Sequence, residues 1–456
     1  MPIEHLWRRW AGRSRVDRSG VRQYDFCKSG FPFQRGAVMF GRKNPEVLVV
    51  GAGPVGLFAA LLLARRGVRV EIIDRDWRTG AHSYALALHP RSLRLLDELG
   101  LKEAVLQEAY PITSVGFYGG GERRAEIRAG GNSAQGLLAA VLRQDALEAL
   151  LENALASLGV KVRWNHELSR LQSRPESAVA TVHRLVKQTV GYAVARTEWT
   201  VGRTDKFEAA FVIGADGHRS TVRRLMGIDF QTLGDAQQFA VFECRTGADP
   251  GREMRVVFTQ GATSALWPMS GGCRWSFELL GFDVPAPART KDRIAVDLGA
   301  ARYPMLSEEF LERLLAERAP WFDAPVREIP WRIAVPFDRR LAGVFGKDRV
   351  WLAGDAGHTA GPVGMQSMNA GLGEAYDLAS LVAEILRDGR SSDCLRTYGE
   401  RQLAQWRRLF APASDLLSGH RADPWVVEHS GRILACLPAS GDELAELAGQ
   451  LHLGPR

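Results

Sequence analysis

VLVVGAGPVGLFAALLLARRGVRVEIID, residues 47–74, decides how the rest of this chain is read. Val47 to Val50 is a short apolar run of the kind buried on both faces of a parallel sheet, and Gly51-Ala52-Gly53-Pro54-Val55-Gly56 follows at once. Gly51 permits a tight turn, Gly53 lets the backbone approach a pyrophosphate, and Gly56 lets the helix pack closely on the sheet. The start of that helix, at Pro54 and Val55, faces the phosphates. Gly67 ends the helix as its C′ residue. Val68 to Ile73 makes the next strand, and Asp74, 18 residues after Gly56 and followed by Arg75, stands where a carboxylate takes the hydroxyls of an adenosine ribose. Strand, turn, helix, strand and acid together predict a βαβ dinucleotide site. A ligand-free glycine turn would need none of the last three.

The chain has 456 residues, 46 % hydrophobic and 24 % charged, which suits two intimately packed domains of an ordinary globular protein. No apolar run approaches the roughly 20 residues of a membrane span, so integral insertion is not expected. Five scattered cysteines without a C-x-x-C pair argue against a disulfide framework or a metal site and fit a reducing cytoplasm. The net charge of +7 suggests nucleic acid until it is located. Residues 1–44 hold ten Lys and Arg against three acids, leaving 49 of each sign in the rest. The basic excess belongs to a leader, suited to peripheral membrane or partner contact, targeting, or no role at all. Nucleic-acid binding is not expected.

Beyond Asp74, Pro90 to Gly100 reads as a short helix with a glycine stop, Ala139 to Leu158 as a long helix, and Val160 to Trp164 as the strand after it. Residues 179–208 are strand-like, and Ala209 to Ile213 is another buried strand. Residues 230–345 change to short aromatic strands around a helix near 307–317, an antiparallel roof over a cavity in which Phe242, Trp267 and Trp275 are candidate substrate walls. Val350 to Ala353 returns to the first domain, followed by helices over 366–386 and 393–410. The fold expected is α/β: a Rossmann-like domain built from residues 45–110, 136–229 and 346–390, an interleaved antiparallel domain from 111–135 and 230–345, a basic extension 1–44 and a helical tail 391–456.

Two further stretches carry chemistry. In Gly214-Ala215-Asp216-Gly217-His218-Arg219-Ser220-Thr221-Val222-Arg223 the Asp216 carboxylate at a strand end could grip a sugar hydroxyl while Ser220 caps a helix, or simply hold a capped turn. In Gly354-Asp355-Ala356-Gly357-His358, continuing through Pro362-Val363-Gly364-Met365-Gln366-Ser367-Met368-Asn369, Asp355 could hold a ribityl or ribose unit. The amides of Gly364 to Gln366 open a helix whose positive end favours an anion. His358 is a candidate for proton transfer, set against the commoner role of a histidine that hydrogen-bonds a turn.

In this order the three motifs, G-x-G-x-x-G, D-G-x-x-S-x-x-R and G-D-A-x-H with P-x-G and Asn, resemble the class A flavoprotein monooxygenases, the p-hydroxybenzoate hydroxylase-like family, from about Glu46 to Phe410. The resemblance implies FAD held by Gly51, Gly53, Gly56 and Asp74 at its ADP end with Gln144 nearby, Asp216 linked to FAD and NAD(P)H, and Gly354, Asp355, Pro362, Gly364 to Gln366 and Asn369 toward the flavin. It implies NAD(P)H as transient reductant, O₂ as co-substrate, and one oxygen atom passed through a flavin C4a-hydroperoxide to an aromatic or polyketide-like small molecule, in a monomer or homodimer. A flavin-dependent halogenase, a prenyl reductase and a nucleotide-binding regulator are the alternatives. The chain also departs from the pattern. Met365 and Ser367 replace the second and third glycines of P-x-G-G-Q-G-M-N, which predicts crowding at the pyrimidine edge of the flavin. Ser83-Tyr84-Ala85-Leu86 lacks the arginine of an Arg-Ala pair, and Glu374 and Asp377 replace Asp and Asn.

Overall fold

The computed structural model describes residues 15–16, 22–23, 44–77, 85–130, 136–190, 196–247, 249–281, 304–410, 416–418 and 422–455. It divides into a short unit, Met1–Lys43, and a large one, Asn44–Arg456. In the short unit Arg15–Val16 pairs antiparallel with Arg22–Gln23. The rest of the basic leader with Cys27, the loop containing Ser83 and Tyr84, and residues 282–303 of the expected antiparallel domain lie outside the described residues.

The large unit begins with β1 (Val47–Val50), fully buried, then α1 (Pro54–Arg65) and β2 (Val70–Ile73). Gly67 takes φ +73° just past the helix, as its C′ role requires. After α2 (Pro90–Glu98) come β3 (Ser114–Gly119), β4 (Glu122–Arg128) and α3 (Gln144–Ser157). The expected helix at Ala139 is thus shorter: Ala139–Val141 is a buried strand paired with Ala87–Leu88 and Tyr110–Ile112, and extended Arg143 caps the helix that follows. Nor does Val160 to Trp164 form a full strand; Arg163 alone bridges to Ile73. A three-stranded antiparallel sheet, β5 (His166–Ser173), β6 (Ala178–Val190) and β7 (Arg196–Ala209), then leads into β8 (Phe211–Gly214) and the short α4 (Thr221–Leu225).

The antiparallel domain adds β9 (Gln237–Thr246), β10 (Glu253–Thr259), β11 (Ala262–Met269), β12 (Gly272–Glu278), α5 (Glu308–Arg318) and β13 (Val326–Phe337). Its seven strands run in the order β13-β9-β12-β11-β10-β3-β4, antiparallel as expected except that β10 pairs parallel with β3, which reaches it from the other segment of the domain. β14 (Val350–Leu352) rejoins the first sheet, the 23-residue α6 (Gln366–Asp388) and α7 (Cys394–Leu409) follow, and α8 (Pro424–Glu428), α9 (Ser430–Cys436) and α10 (Asp442–Gly449) close the chain.

Strands β14, β8, β1 and β2 are parallel neighbours in that order. Their register places Leu352, Gly214, Val50 and Ile73 in one row at the carboxyl edge. The residues that come next are Ala353, Ala215, Gly51 and Asp74. Three motifs separated by more than a hundred residues of sequence therefore share one edge, the place where open parallel sheets hold ligands.

Candidate functional site

Close packing explains the glycines at this edge. Gly51 has φ +106°, and a Cβ there would lie 2.2 Å from the Ala215 oxygen. A Cβ on Gly56 would lie 2.0 Å from the Gly51 oxygen, so Gly56 seats the helix on the turn itself rather than on the sheet. A Cβ on Gly53 would meet nothing within 4 Å, which leaves the backbone at the start of α1 open to a ligand. Gly354, at φ +65°, packs on Val55, and Gly371 of α6 packs on both. Asp74 accepts hydrogen bonds from Ala52 N at 2.7 Å and Asp76 N at 2.8 Å, and it stays partly exposed beside exposed Arg75. Gln144, in the first turn of α3, donates to Glu148 at 2.7 Å.

Asp216 is spent on the turn. Its carboxylate accepts from Ser220 Oγ and from the amides of Thr221 (2.6 Å) and Val222 (3.1 Å), and Ser220 in turn accepts from Arg223 N at 2.9 Å. Burial pushes its pKa above the ordinary value even against these bonds. The capped turn is what the structure shows, so Asp216 organises the site rather than offering a free carboxylate. Arg223, 5 % exposed, completes the arrangement: its guanidinium donates to the Ala356 and His218 carbonyls, both at 2.8 Å, and lies 3.7 Å over the Phe230 ring. The sequence displayed this arginine but not its partner, which comes 133 residues later.

Around the third motif, Asp355 remains exposed and accepts from Ser367 Oγ at 2.6 Å. It also acts electrostatically on His218, as do Arg75 and Arg219, in keeping with the shared sheet edge that brings the three motifs together. His358 does not stand as a base toward a substrate. The ring is fully buried, stacked on Trp406 at 3.7 Å, with Nε2 3.0 Å from Glu374 and Nδ1 3.4 Å from Ser367. Asn369 is likewise committed, accepting from His89 N and Ser92 Oγ while donating to the Ala87 and Met365 carbonyls. All four of its hydrogen-bonding positions are used, so its side chain fixes the turn and leaves nothing for a cofactor. Met365 adopts φ 51°, ψ 30°, the left-handed conformation its glycine counterpart would take freely. Its side chain does not crowd the open edge; it is buried in the apolar cluster that holds Val363, Trp267 and Trp331.

That cluster settles which aromatic residues face the turn. Strand alternation puts Trp267 on the face of the seven-stranded sheet shared with Met365, and Phe242 and Trp275 on the opposite face, under α5 with Phe310, Leu311 and Leu314. Phe242 and Trp275, paired directly across β9 and β12, are core residues, not cavity walls. Two features of the inner face had no signal in the sequence. Buried Glu243 accepts from Arg143 at 3.0 Å and pairs with buried Arg274, whose guanidinium lies 4.9 Å over Trp331. The chain end also closes on the turn: Gln366 donates to the Leu434 and Leu437 carbonyls, a Cβ on Gly364 would lie 2.7 Å from the Ala435 and Leu437 oxygens, and Glu443 holds Arg94 of α2.

The site therefore presents an open glycine turn at a helix start, carboxylates at Asp74 and Asp355, and a second helix start at Gln366 beside an apolar wall. These suit the pyrophosphate, hydroxyl-bearing chain and flat ring of FAD. Residues 44–411 match the protein family described as FAD binding domain. The chain belongs to that family. Its relatives include 6-methylpretetramide 4-monooxygenase of Streptomyces rimosus, 30 % identical over 374 residues that make up 81 % of this chain and 61 % of that one. Among solved structures, anhydrotetracycline hydroxylase from Streptomyces rimosus matches with TM-score 0.60 at 25 % identity, over 90 % of this chain and 76 % of its own. A p-nitrophenol 4-monooxygenase from Pseudomonas putida shares the fold with TM-score 0.66 at 20 % identity, over 90 % and 93 %. The class A flavoprotein monooxygenase family expected from the three motifs is thus the one to which the chain belongs. The chain spans about three fifths of the length of the 6-methylpretetramide enzyme. Among the described residues no helix is long and apolar enough to cross a membrane, and no cluster of His, Cys, Asp and Glu could hold a metal ion.

Proposed function

We propose that the protein is an FAD-dependent monooxygenase that uses NAD(P)H and O₂ to insert one oxygen atom into a polycyclic aromatic or polyketide-like molecule. The observation that carries this is the single carboxyl edge that gathers all three motifs and faces the Trp267 side of the antiparallel sheet across the Met365 turn. Gly51, Gly53 and the α1 start at Pro54, Val55 and Gly56 take the pyrophosphate, and Asp74, Arg75 and Gln144 the ADP end. Gly354 and Asp355 take the ribityl chain, and Pro362 with the Gly364, Met365 and Gln366 amides lies at the flavin ring. When bound, FAD supplies the electron transfer and oxygen activation that no side chain can. The protein orients the ring through the α6 start, whose dipole favours negative charge there. Val363, Met365, Trp267 and the α9 wall exclude water from the compartment.

The named relatives favour a multi-ring substrate, since one is called a 6-methylpretetramide monooxygenase and another an anhydrotetracycline hydroxylase. The four free cysteines among the described residues suit a reducing cytoplasm. The test is to purify the protein with its flavin, screen tetracyclic and anthraquinone phenols for stimulated NADH or NADPH oxidation, and follow ¹⁸O₂ into product. Turnover that proceeds equally well without oxygen defeats this function. Asp355→Ala should lower FAD affinity; unchanged affinity removes the role given to Asp355.

A further inference from the structure

Ser367 stands where the family resemblance calls for glycine, and its hydroxyl joins two groups that would otherwise be separate. On one side it donates to the exposed Asp355 carboxylate at 2.6 Å. On the other it lies 3.4 Å from His358 Nδ1. His358 Nε2 faces Glu374 Oε2 at 3.0 Å, and that carboxylate, 2 % exposed, also accepts from Gly354 N at 2.8 Å and from Trp406 Nε1 at 2.7 Å. The series starts at the open cleft and ends in the core.

A carboxylate accepts, so the Ser367 proton points to Asp355 and the hydroxyl lone pairs are left on the side of His358 Nδ1. Turning the hydroxyl to Nδ1 would take this donor from Asp355, the costlier arrangement. The imidazole, held by Glu374 and stacked on Trp406, fixes the other flank of the hydroxyl. A glycine would leave the Asp355 carboxylate to rotate.

The geometry points to Ser367 as the positioning residue of the Asp355 carboxylate: its hydroxyl, flanked by the buried His358–Glu374 pair, holds Asp355 in the rotamer that receives the hydroxyl chain of FAD. This rests on the role given to Asp355 above. It makes the affinity for FAD depend on a hydroxyl that acts through the carboxylate. Removing it costs a charge-assisted hydrogen bond in the empty site and the preorganisation of the bound one.

The experiment is titration of the flavin-free protein with FAD, read by quenching of flavin fluorescence, for wild type, Ser367→Ala, Ser367→Thr and Asp355→Ala, with the thermal midpoint of each flavin-free protein measured alongside. Ser367→Ala should raise the Kd for FAD about tenfold with a midpoint within a few degrees of wild type, and Ser367→Thr, which restores the hydroxyl, should bind within about threefold of wild type. The visible circular dichroism of bound FAD should change in Ser367→Ala and recover in Ser367→Thr. If Ser367→Ala binds FAD like wild type while Asp355→Ala does not, the positioning role is overturned and the Asp355 site stands. If neither variant alters binding, the Asp355 assignment itself falls. A threonine variant as weak as the alanine variant also overturns the proposal, since the hydroxyl would then not be what matters.

Discussion

Arg223 donates its guanidinium to the Ala356 carbonyl at 2.8 Å, which ties the turn after β8 to the turn after β14. The same group holds the His218 carbonyl and covers Phe230. Replacing it with alanine strands two carbonyls and opens the ring to water. Arg223→Ala should lower the unfolding free energy by about 3 kcal/mol in urea titration and weaken FAD retention. Arg223→Lys, unable to span both carbonyls, should recover less than half of either loss.

His89 gives the protein an acid weakness with a defined window. Its Nε2 faces the Gly364 carbonyl at 3.0 Å, so that nitrogen carries the proton, and burial pushes the pKa down to about 3 from the usual 6.5. Between those values the unfolded chain binds a proton that the folded chain refuses. Stability from this group is therefore complete above about pH 6.5 and falls as pH falls, by about 1.4 kcal/mol per unit. His89→Gln keeps a donor for Gly364 but does not titrate, and its plot of unfolding free energy against pH should be flatter by that slope between pH 6 and 4. An unchanged slope would refute the buried neutral imidazole.

The two sheet faces predict opposite phenotypes for two tryptophans one register step apart on neighbouring strands but on different sides. Trp275 stacks on Phe277 at 5.1 Å in the core beneath α5, so Trp275→Ala should cost about 3–5 kcal/mol. Trp275→Phe should leave the KM for a stimulating aromatic compound unaltered. Trp267 lies on the inner face, and its indole N–H, like that of Trp275, has no partner among the described residues; what separates the two is the face each occupies. Trp267→Phe removes a donor a substrate oxygen could use, and should raise that KM severalfold with FAD affinity unchanged.

Met365 can be judged by the order of two variants. Its left-handed backbone costs about 1–2 kcal/mol, and its side chain, 6 % exposed, contributes more than that through packing. Met365→Ala loses the packing and keeps the strain, whereas Met365→Gly loses both. Both should be less stable than wild type by denaturant unfolding, with glycine the better by about 1 kcal/mol.

The first βαβ unit was legible because backbone requirements are written locally: Gly51 and Gly67 occupy φ values that few other residues accept, and Asp74 closes a fixed spacing. The helices expected over 307–317, 366–386 and 393–410 stand at 308–318, 366–388 and 394–409. What stayed hidden depends on register and distance. Whether Trp267 or Trp275 faces the cofactor turn is a matter of a single-residue alternation that only the pairing of β11 with β12 reveals. For Asp216 the sequence left two readings open because Thr221 and Val222 lie within its motif but which groups their amides meet depends on the turn. His358 stood as a candidate base because Glu374 and Trp406 come from outside the motif that displays it. The Arg143–Glu243–Arg274 cluster joins Glu243 to one arginine 100 positions before it and another 31 positions after it.

The bonds from Gln366 to the carbonyls of Leu434 and Leu437, with Glu443 on Arg94, have a consequence for biosynthesis. The parallel sheet and all three motifs are already synthesised when α6 leaves the ribosome, yet the turn at Gly364 lacks its far wall until α9 and α10 have emerged. A chain that stops short of α9 carries the whole parallel sheet and all three motifs, yet lacks the carbonyls that hold Gln366 and pack against Gly364, so the turn is completed from a distance and late in synthesis.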